Sequence, residues 1–185
     1  MQPVKKNTSM IHLHDKTFEP FISSEEIDFA VANMAKQMSD DFFDETPVFI
    51  GVMNGSFMVL SDLMKQYRGM CEVNFVKLAS YQGTQSTNQV KQLVGLTQNL
   101  EGRTVVVVED IVDTGNTVAE IKEILKAMNV KHLKIATLFF KPEAYKKDIK
   151  LDYVGIRIPD KFIVGYGLDY DGLGRNLPDV YQVVV

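Results

Sequence analysis

Apolar residues recur along this chain with two periods, and the places where one gives way to the other mark its elements. The run Val105-Val106-Val107-Val108 is wholly apolar, bounded by Gly102 and by acids, the pattern of a strand buried on both faces in a parallel sheet. Glu109, Asp110 and Asp113 stand at its carboxyl end, ahead of Thr114-Gly115-Asn116-Thr117. Val118, Ile121, Ile124, Leu125 and Met128 then share one helical face, which predicts a helix from near Thr117, with Glu120 and Glu123 in its early turns.

The same alternation of strand and helix recurs elsewhere. Residues 1–20 have too few apolar positions for a helix period and predict a tail followed by a short strand. Ser23-Ser24-Glu25-Glu26 supplies a capping box, and Ile27, Ala30, Val31, Met34 and Met38 give a helix from about Ser24 to Asp41. Val48 to Met53 is a short apolar strand, followed by Asn54-Gly55-Ser56 and by Phe57, Leu60, Leu63 and Met64 at helical spacing. Val73 to Ala79 alternates, and a polar stretch from Gln82 to Gln92 separates it from a returning strand at Val94-Gly95-Leu96. A polar segment of that length in a compact chain predicts a lid or a loose hairpin. Leu133–Phe140, Leu151–Ile156 and Pro178–Val185 are the remaining strands. Strands separated by helices indicate a mainly parallel α/β sheet with its site at the carboxyl ends.

The central turn carries the chemistry. A helix N-terminus offers free backbone N–H groups and partial positive charge, Gly115 lets backbone approach closely, and Thr114 and Thr117 add hydroxyl donors, so an anion such as phosphate belongs there. Glu109 and Asp110 cannot bind phosphate directly. Their presence asks for a ligand with hydroxyls or a bridging cation as well, and a phosphorylated sugar meets both demands. A net charge of −4 argues against a general nucleic-acid binder and for a small-molecule ligand. The single cysteine, Cys71, allows no intramolecular disulfide, and the N-terminal residues lack a signal peptide's apolar core, so a reducing cytoplasm is expected. No run approaches the ~20 apolar residues of a membrane span. His12, His14 and His132 lack the spacing of a metal site. At 185 residues, 45% of them hydrophobic, one domain over residues 1–185 is expected.

The stretch from Val105 to Thr117 resembles the phosphoribosyl-pyrophosphate signature of the type I phosphoribosyltransferases. From about Phe49 to Tyr181 the wider chain is similar to the hypoxanthine-guanine phosphoribosyltransferases. The resemblance implies a mainly parallel twisted sheet flanked by helices, a small hood from about residues 1–20 and 160–185, and a flexible lid hairpin. It implies transfer of 5-phosphoribosyl from its 1-pyrophosphate to hypoxanthine, and also to guanine, giving a nucleoside monophosphate and pyrophosphate in purine salvage.

The resemblance also implies residue roles. Glu109 and Asp110 would engage the ribose hydroxyls, and Asp113 through Thr117, with Gly115 and Asn116 between, would hold the 5′-phosphate. Asp113 would also accept or orient the purine's N7 proton. Met53, Asn54 and Gly55 would bind pyrophosphate through a non-proline cis peptide at Met53-Asn54, although several relatives carry lysine where this chain has Asn54. Ser80 and Tyr81 would begin the catalytic lid, and Arg175 would reach the pyrophosphate. For the base, Lys141 would donate to its exocyclic oxygen, Phe162 would stack on it, Ile163 would meet its edge, and Asp169 would lie close by. Mg²⁺ would be held by Glu109, Asp110 and Asp169. Relatives form dimers and tetramers, which implies a homodimer or homotetramer here. A regulatory protein that keeps this fold but binds RNA or another protein is the rival reading, and the acidic balance together with Lys141, Phe162 and Asp169 counts against it. A phospho-accepting receiver would place its acid pair after the first strand, unlike Glu109-Asp110.

Overall fold

The structure is a computed structural model that describes residues 9–82 and 89–184, with the backbone alone for 79–82 and 89–93. Its centre is β6 (Thr104–Val112), in which Val105 to Val108 are fully buried. This strand pairs in parallel with β3 (Val48–Val52) on one side and β7 (His132–Phe140) on the other. With β4 (Glu72–Gln82), β5 (Gln89–Val94) and β8 (Tyr153–Arg157) they form a six-stranded sheet of order β5-β4-β3-β6-β7-β8. Every neighbouring pair is parallel except β4 and β5.

Both faces of this sheet are covered, which is why its middle strands read as unbroken apolar runs. Phe49, Val106, Val108 and Leu138 point to the face packed by α1 (Ser24–Asp41) and α2 (Phe57–Gln66). Val48, Ile50, Val105 and Val107 point to the opposite face, under Val118, Ile121 and Leu125 of α3 (Asn116–Ala127). Helix α1 starts at the capping box expected from its sequence: Ser23 Oγ accepts from the Glu26 N–H, and the Glu26 carboxylate accepts from the Ser23 N–H at 3.0 Å.

A second sheet, antiparallel and of order β1-β2-β10-β9, joins β1 (Ile11–Leu13) and β2 (Lys16–Ile22) to β9 (Ile163–Val164) and β10 (Val180–Val183). The early segment is therefore a hairpin, not one short strand, and it turns at His14 with a positive φ of 51°. Phe18, Val164 and Tyr181 form a small core of this sheet, while Ile22, Ile163, Tyr166 and Val180 join the main core.

Two strand boundaries differ from expectation. Strand β6 continues through Val112, so Glu109 and Asp110 lie inside the strand instead of after it. The returning strand is Gln89–Val94, registered on β4 from Lys77↔Val94 to Gln82↔Gln89, whereas Gly95 at φ +103° begins the turn out of it. The two ends of the stretch expected as a lid thus belong to a two-stranded ribbon, and residues 83–88 lie outside the described residues. The sequence Gln89–Val94 lacks the one-sided apolar alternation by which a strand is recognised. Among the described residues no helix is long and apolar enough to cross a membrane.

Candidate active site

The carboxyl end of β6 and the start of α3 build the floor of the site. Gly115 adopts the left-handed conformation at φ +81° and forms the N-cap of α3, and no side chain caps that helix. Its first N–H groups are therefore left for a ligand, as anion binding requires. A Cβ at Gly115 would fall 2.4 Å from the Tyr145 ring, so glycine is demanded by both conformation and space.

The two strand acids occupy different surroundings. Glu109 is buried, and its Oε1 has no hydrogen-bond partner. Burial pushes its carboxyl well above the usual range, and the neighbouring Asp110 charge adds to the shift. Asp110 is half-buried and accepts from the Ile111 N–H at 2.9 Å. Burial raises its pKa to about 6, an effect that the Asp169 charge reinforces and that the backbone N–H groups and Arg175 oppose.

The loop after β3 closes the cleft from the other side. The Met53–Asn54 peptide is cis, at the position the resemblance indicated. Gly55 then lies against Asp110, whose Oδ2 would be 1.6 Å from a Cβ built on the glycine. Its carbonyl oxygen in turn meets Gly167 of the segment after β9, where a Cβ would fall 2.1 Å from Gly55 O. Arg175 fastens that segment by donating to Gly167 O at 2.6 Å and pairing with Asp169 at 2.6 Å, while Asp169 also accepts from the Gly172 N–H at 2.7 Å. Tyr166 donates its hydroxyl to Asp62 of α2 at 2.6 Å. Met53, Asn54, Gly55, Glu109, Asp110, Asp113 to Thr117 and Arg175 together line one cleft of about 380 Å³.

A second group of residues stands beside this cleft. Lys141, just past β7, is buried, and its Nζ donates to Asp113 Oδ2 at 2.9 Å and to Asp160 Oδ1 at 3.1 Å. Asp113 thus belongs to both groups. Phe162 is 45% exposed, with its ring centroid 6.1 Å from Phe18 and 5.7 Å from a nearly perpendicular Tyr170. The neighbouring rings support Phe162 and leave part of it free for a flat ligand. Ile163 is buried in β9, paired with Gln182. Asp169 does not line the cleft with Glu109 and Asp110; Arg175 links it there. Ser80 and Tyr81 belong to β4, and their side chains lie outside those described.

Sequence reasoning missed Asp160, Tyr166 and the Gly55–Gly167 contact. For Asp160 a signal existed, since Pro159-Asp160 is a turn at a strand's end, as Lys141-Pro142 is. The Gly55–Gly167 contact joins residues too far apart for any local pattern to show.

A profile of the phosphoribosyl transferase domain matches residues 23–171. The hypoxanthine-guanine phosphoribosyltransferase of Staphylococcus epidermidis is 40% identical over 167 residues, covering 90% of this chain and 93% of the relative, and that of Staphylococcus aureus is 38% identical over the same span. Among solved structures, a hypoxanthine-guanine phosphoribosyltransferase from Bacillus anthracis superposes with a TM-score of 0.81 at 38% identity, covering 90% of this chain and 98% of that one. The hypoxanthine phosphoribosyltransferase of Trypanosoma cruzi, solved as a K68R mutant with its ternary substrates, gives 0.79 at 29% identity, covering 89% and 94%. The chain belongs to the phosphoribosyltransferase family, within its hypoxanthine-guanine branch.

Proposed function

We propose that this enzyme transfers 5-phosphoribosyl from 5-phosphoribosyl 1-pyrophosphate to hypoxanthine, and also to guanine, in purine salvage. The observation that carries this reading is the single cleft in which an uncapped helix N-terminus, two strand acids and the Met53–Gly55 loop converge. Each part suits one part of the donor substrate. The 5′-phosphate would take the N–H groups and hydroxyls of Thr114 to Thr117, the ribose hydroxyls would take Glu109 and Asp110, and the pyrophosphate would lie between the Met53–Gly55 loop and Arg175.

In the reaction a bond forms between the purine N9 and C1′ of the ribose while the C1′–oxygen bond to pyrophosphate breaks. The proton lost by the base passes from N7 to Asp113, the carboxylate that lines the cleft and pairs with Lys141. Lys141 would donate to the 6-oxygen, and Phe162 would stack on the ring. Ser80 and Tyr81 would help exclude water from the electron-poor sugar carbon.

The residues present fit magnesium. Glu109, Asp110 and Asp169 are hard oxygen donors, and Glu109 Oε1 is buried without a partner. Among the described residues no group of three or more acids, histidines or cysteines forms a ready-made cage. None is needed, because Mg²⁺ keeps several waters and is commonly held by one or two carboxylates plus substrate phosphates. When bound it would neutralise charge on the pyrophosphate leaving group. A homodimer or homotetramer in the cytoplasm completes the proposal, supported by exposed apolar side chains such as Phe29 and Met70. A steady-state assay against a panel of purine bases tests it: hypoxanthine and guanine should be converted with release of pyrophosphate, and conversion of neither would overturn it.

A further inference from the structure

We infer that Asp160 is a positioning residue that keeps the Lys141 ammonium paired and aimed while Asp113 turns to the base. The inference rests on the reading of the site as one for 6-oxopurine transfer. The side chain of Lys141 is only 8% exposed, and its backbone N–H donates to Val112 O at 3.0 Å, so its stem is fixed against the end of β6. The ammonium has three N–H donors and no acceptor. Asp113 directs one of them at 2.9 Å and Asp160 a second at 3.1 Å. One donor remains for a ligand oxygen.

The two carboxylates come from different places. Asp113 lies in the turn between β6 and α3, whereas Asp160 lies in the connection from β8 to β9. That connection is tied down where Lys141 begins: the Ile158 N–H donates to Phe140 O at 2.9 Å, and the Lys161 N–H donates to Pro159 O at 2.8 Å. Asp160 and Lys141 therefore leave the same junction, and neither can shift far without the other.

This arrangement resolves a conflict of duties. In the proposed reaction Asp113 accepts a proton from the base and so loses its negative charge. If the pair were one to one, that loss would strand an uncompensated ammonium in buried surroundings, which is strongly unfavourable. With Asp160 present the charge stays paired throughout, and two fixed N–H directions still aim the third at the base. Asp160 is itself suited to a standing role, because its side chain is 57% exposed and its charge stays hydrated.

Asp160→Asn, Asp160→Glu and the double variant with Asp113→Asn test this. Binding of IMP and AMP is measured by calorimetry on the whole protein, alongside kcat and KM for hypoxanthine and for 5-phosphoribosyl 1-pyrophosphate. Asp160→Asn should lose roughly tenfold or more of the preference for IMP over AMP and lower kcat, with KM for the phosphoribosyl donor unchanged. Asp160→Glu should restore much of both, and the double variant should lose less than the two single losses combined. An Asn variant that keeps the preference and kcat would overturn the role of Asp160, as would a loss shared equally by the KM for the phosphoribosyl donor. If the unmodified protein showed no preference for IMP, the 6-oxopurine reading itself would fall.

Discussion

Gly55 rests directly on Asp110: a methyl group on the glycine would lie 1.6 Å from the carboxylate oxygen Oδ2. The Met53–Gly55 loop and Asp110 are therefore fitted to each other, and neither can be enlarged alone. Gly55→Ala should displace the Asp110 side chain from the Ile111 N–H while leaving the fold intact. Misplacement by about 1 Å can cost ~10²-fold in rate, so kcat/KM should fall on that order with little change in melting temperature. An unchanged kcat/KM would show that Asp110 can move without consequence.

The raised pKa of Asp110 links the site to stability. The folded state holds this proton more tightly, at about 6 against 3.8 for an ordinary aspartate carboxyl. The contribution is therefore fully present below about pH 3.8 and is lost as pH rises through about 6, where the half-buried carboxylate must ionise. Asp110→Asn removes that penalty and should stabilise the protein at pH 7 by about 1–2 kcal/mol, with the gain vanishing in acid. Thermal melts of both proteins across this range would check it. Activity should fall in the same variant, because stability is given up at this position for function.

Much of this architecture was legible in local pattern. Val105 to Val108 announced a doubly covered strand because β6 is covered on both faces, and Ser23 with Glu26 announced the start of α1 because a capping box is set by residues three apart. The extension of β6 through Glu109 and Asp110 was hidden, since acids inside a strand contradict its apolar pattern. Such positions break the local rule at a cost, shown by the buried Glu109 Oε1 that has no hydrogen-bond partner. Strand β5 was displaced for the opposite reason: its polar residues carry no burial signal. The clamp from Gly55 to Gly167 and Arg175 depends on residues more than a hundred positions apart, and only tertiary packing reveals it.

Tyr166 stands at the other end of that clamp. It is buried, has a positive φ of 47°, and its hydroxyl donates a hydrogen bond to Asp62 at 2.6 Å. Burial first, and then the bond to Asp62, push its own ionisation well above the ordinary tyrosine range. Tyr166→Phe should cost about 1–2 kcal/mol, or a few degrees in melting temperature, since a hydrogen bond to a charged group is lost while Asp62 keeps Lys65. If Tyr166→Phe melted as the parent does, this bond would contribute nothing to stability.

Base choice should follow from the donor character of Lys141. Adenine presents an amino group where hypoxanthine presents a carbonyl, so donor would face donor at the buried Lys141 ammonium. Sites built around such a contact reject the mismatched analogue by ~10⁴-fold or more. Competition between the two bases should show a preference of that order, and Lys141→Ala should collapse it by losing the oxopurine reaction. Equal use of both bases by the parent protein would remove Lys141 from the base site.

The antiparallel sheet places β2, made early in synthesis, between β1 and β10, made almost last. On the ribosome β2 must wait with one edge unpaired until residues 180–183 emerge, although every strand of the parallel sheet is already available. Phe18 of β2, one of the rings beside Phe162, therefore belongs to a sheet that can close only after every strand of the larger sheet, and Arg175 as well, has emerged.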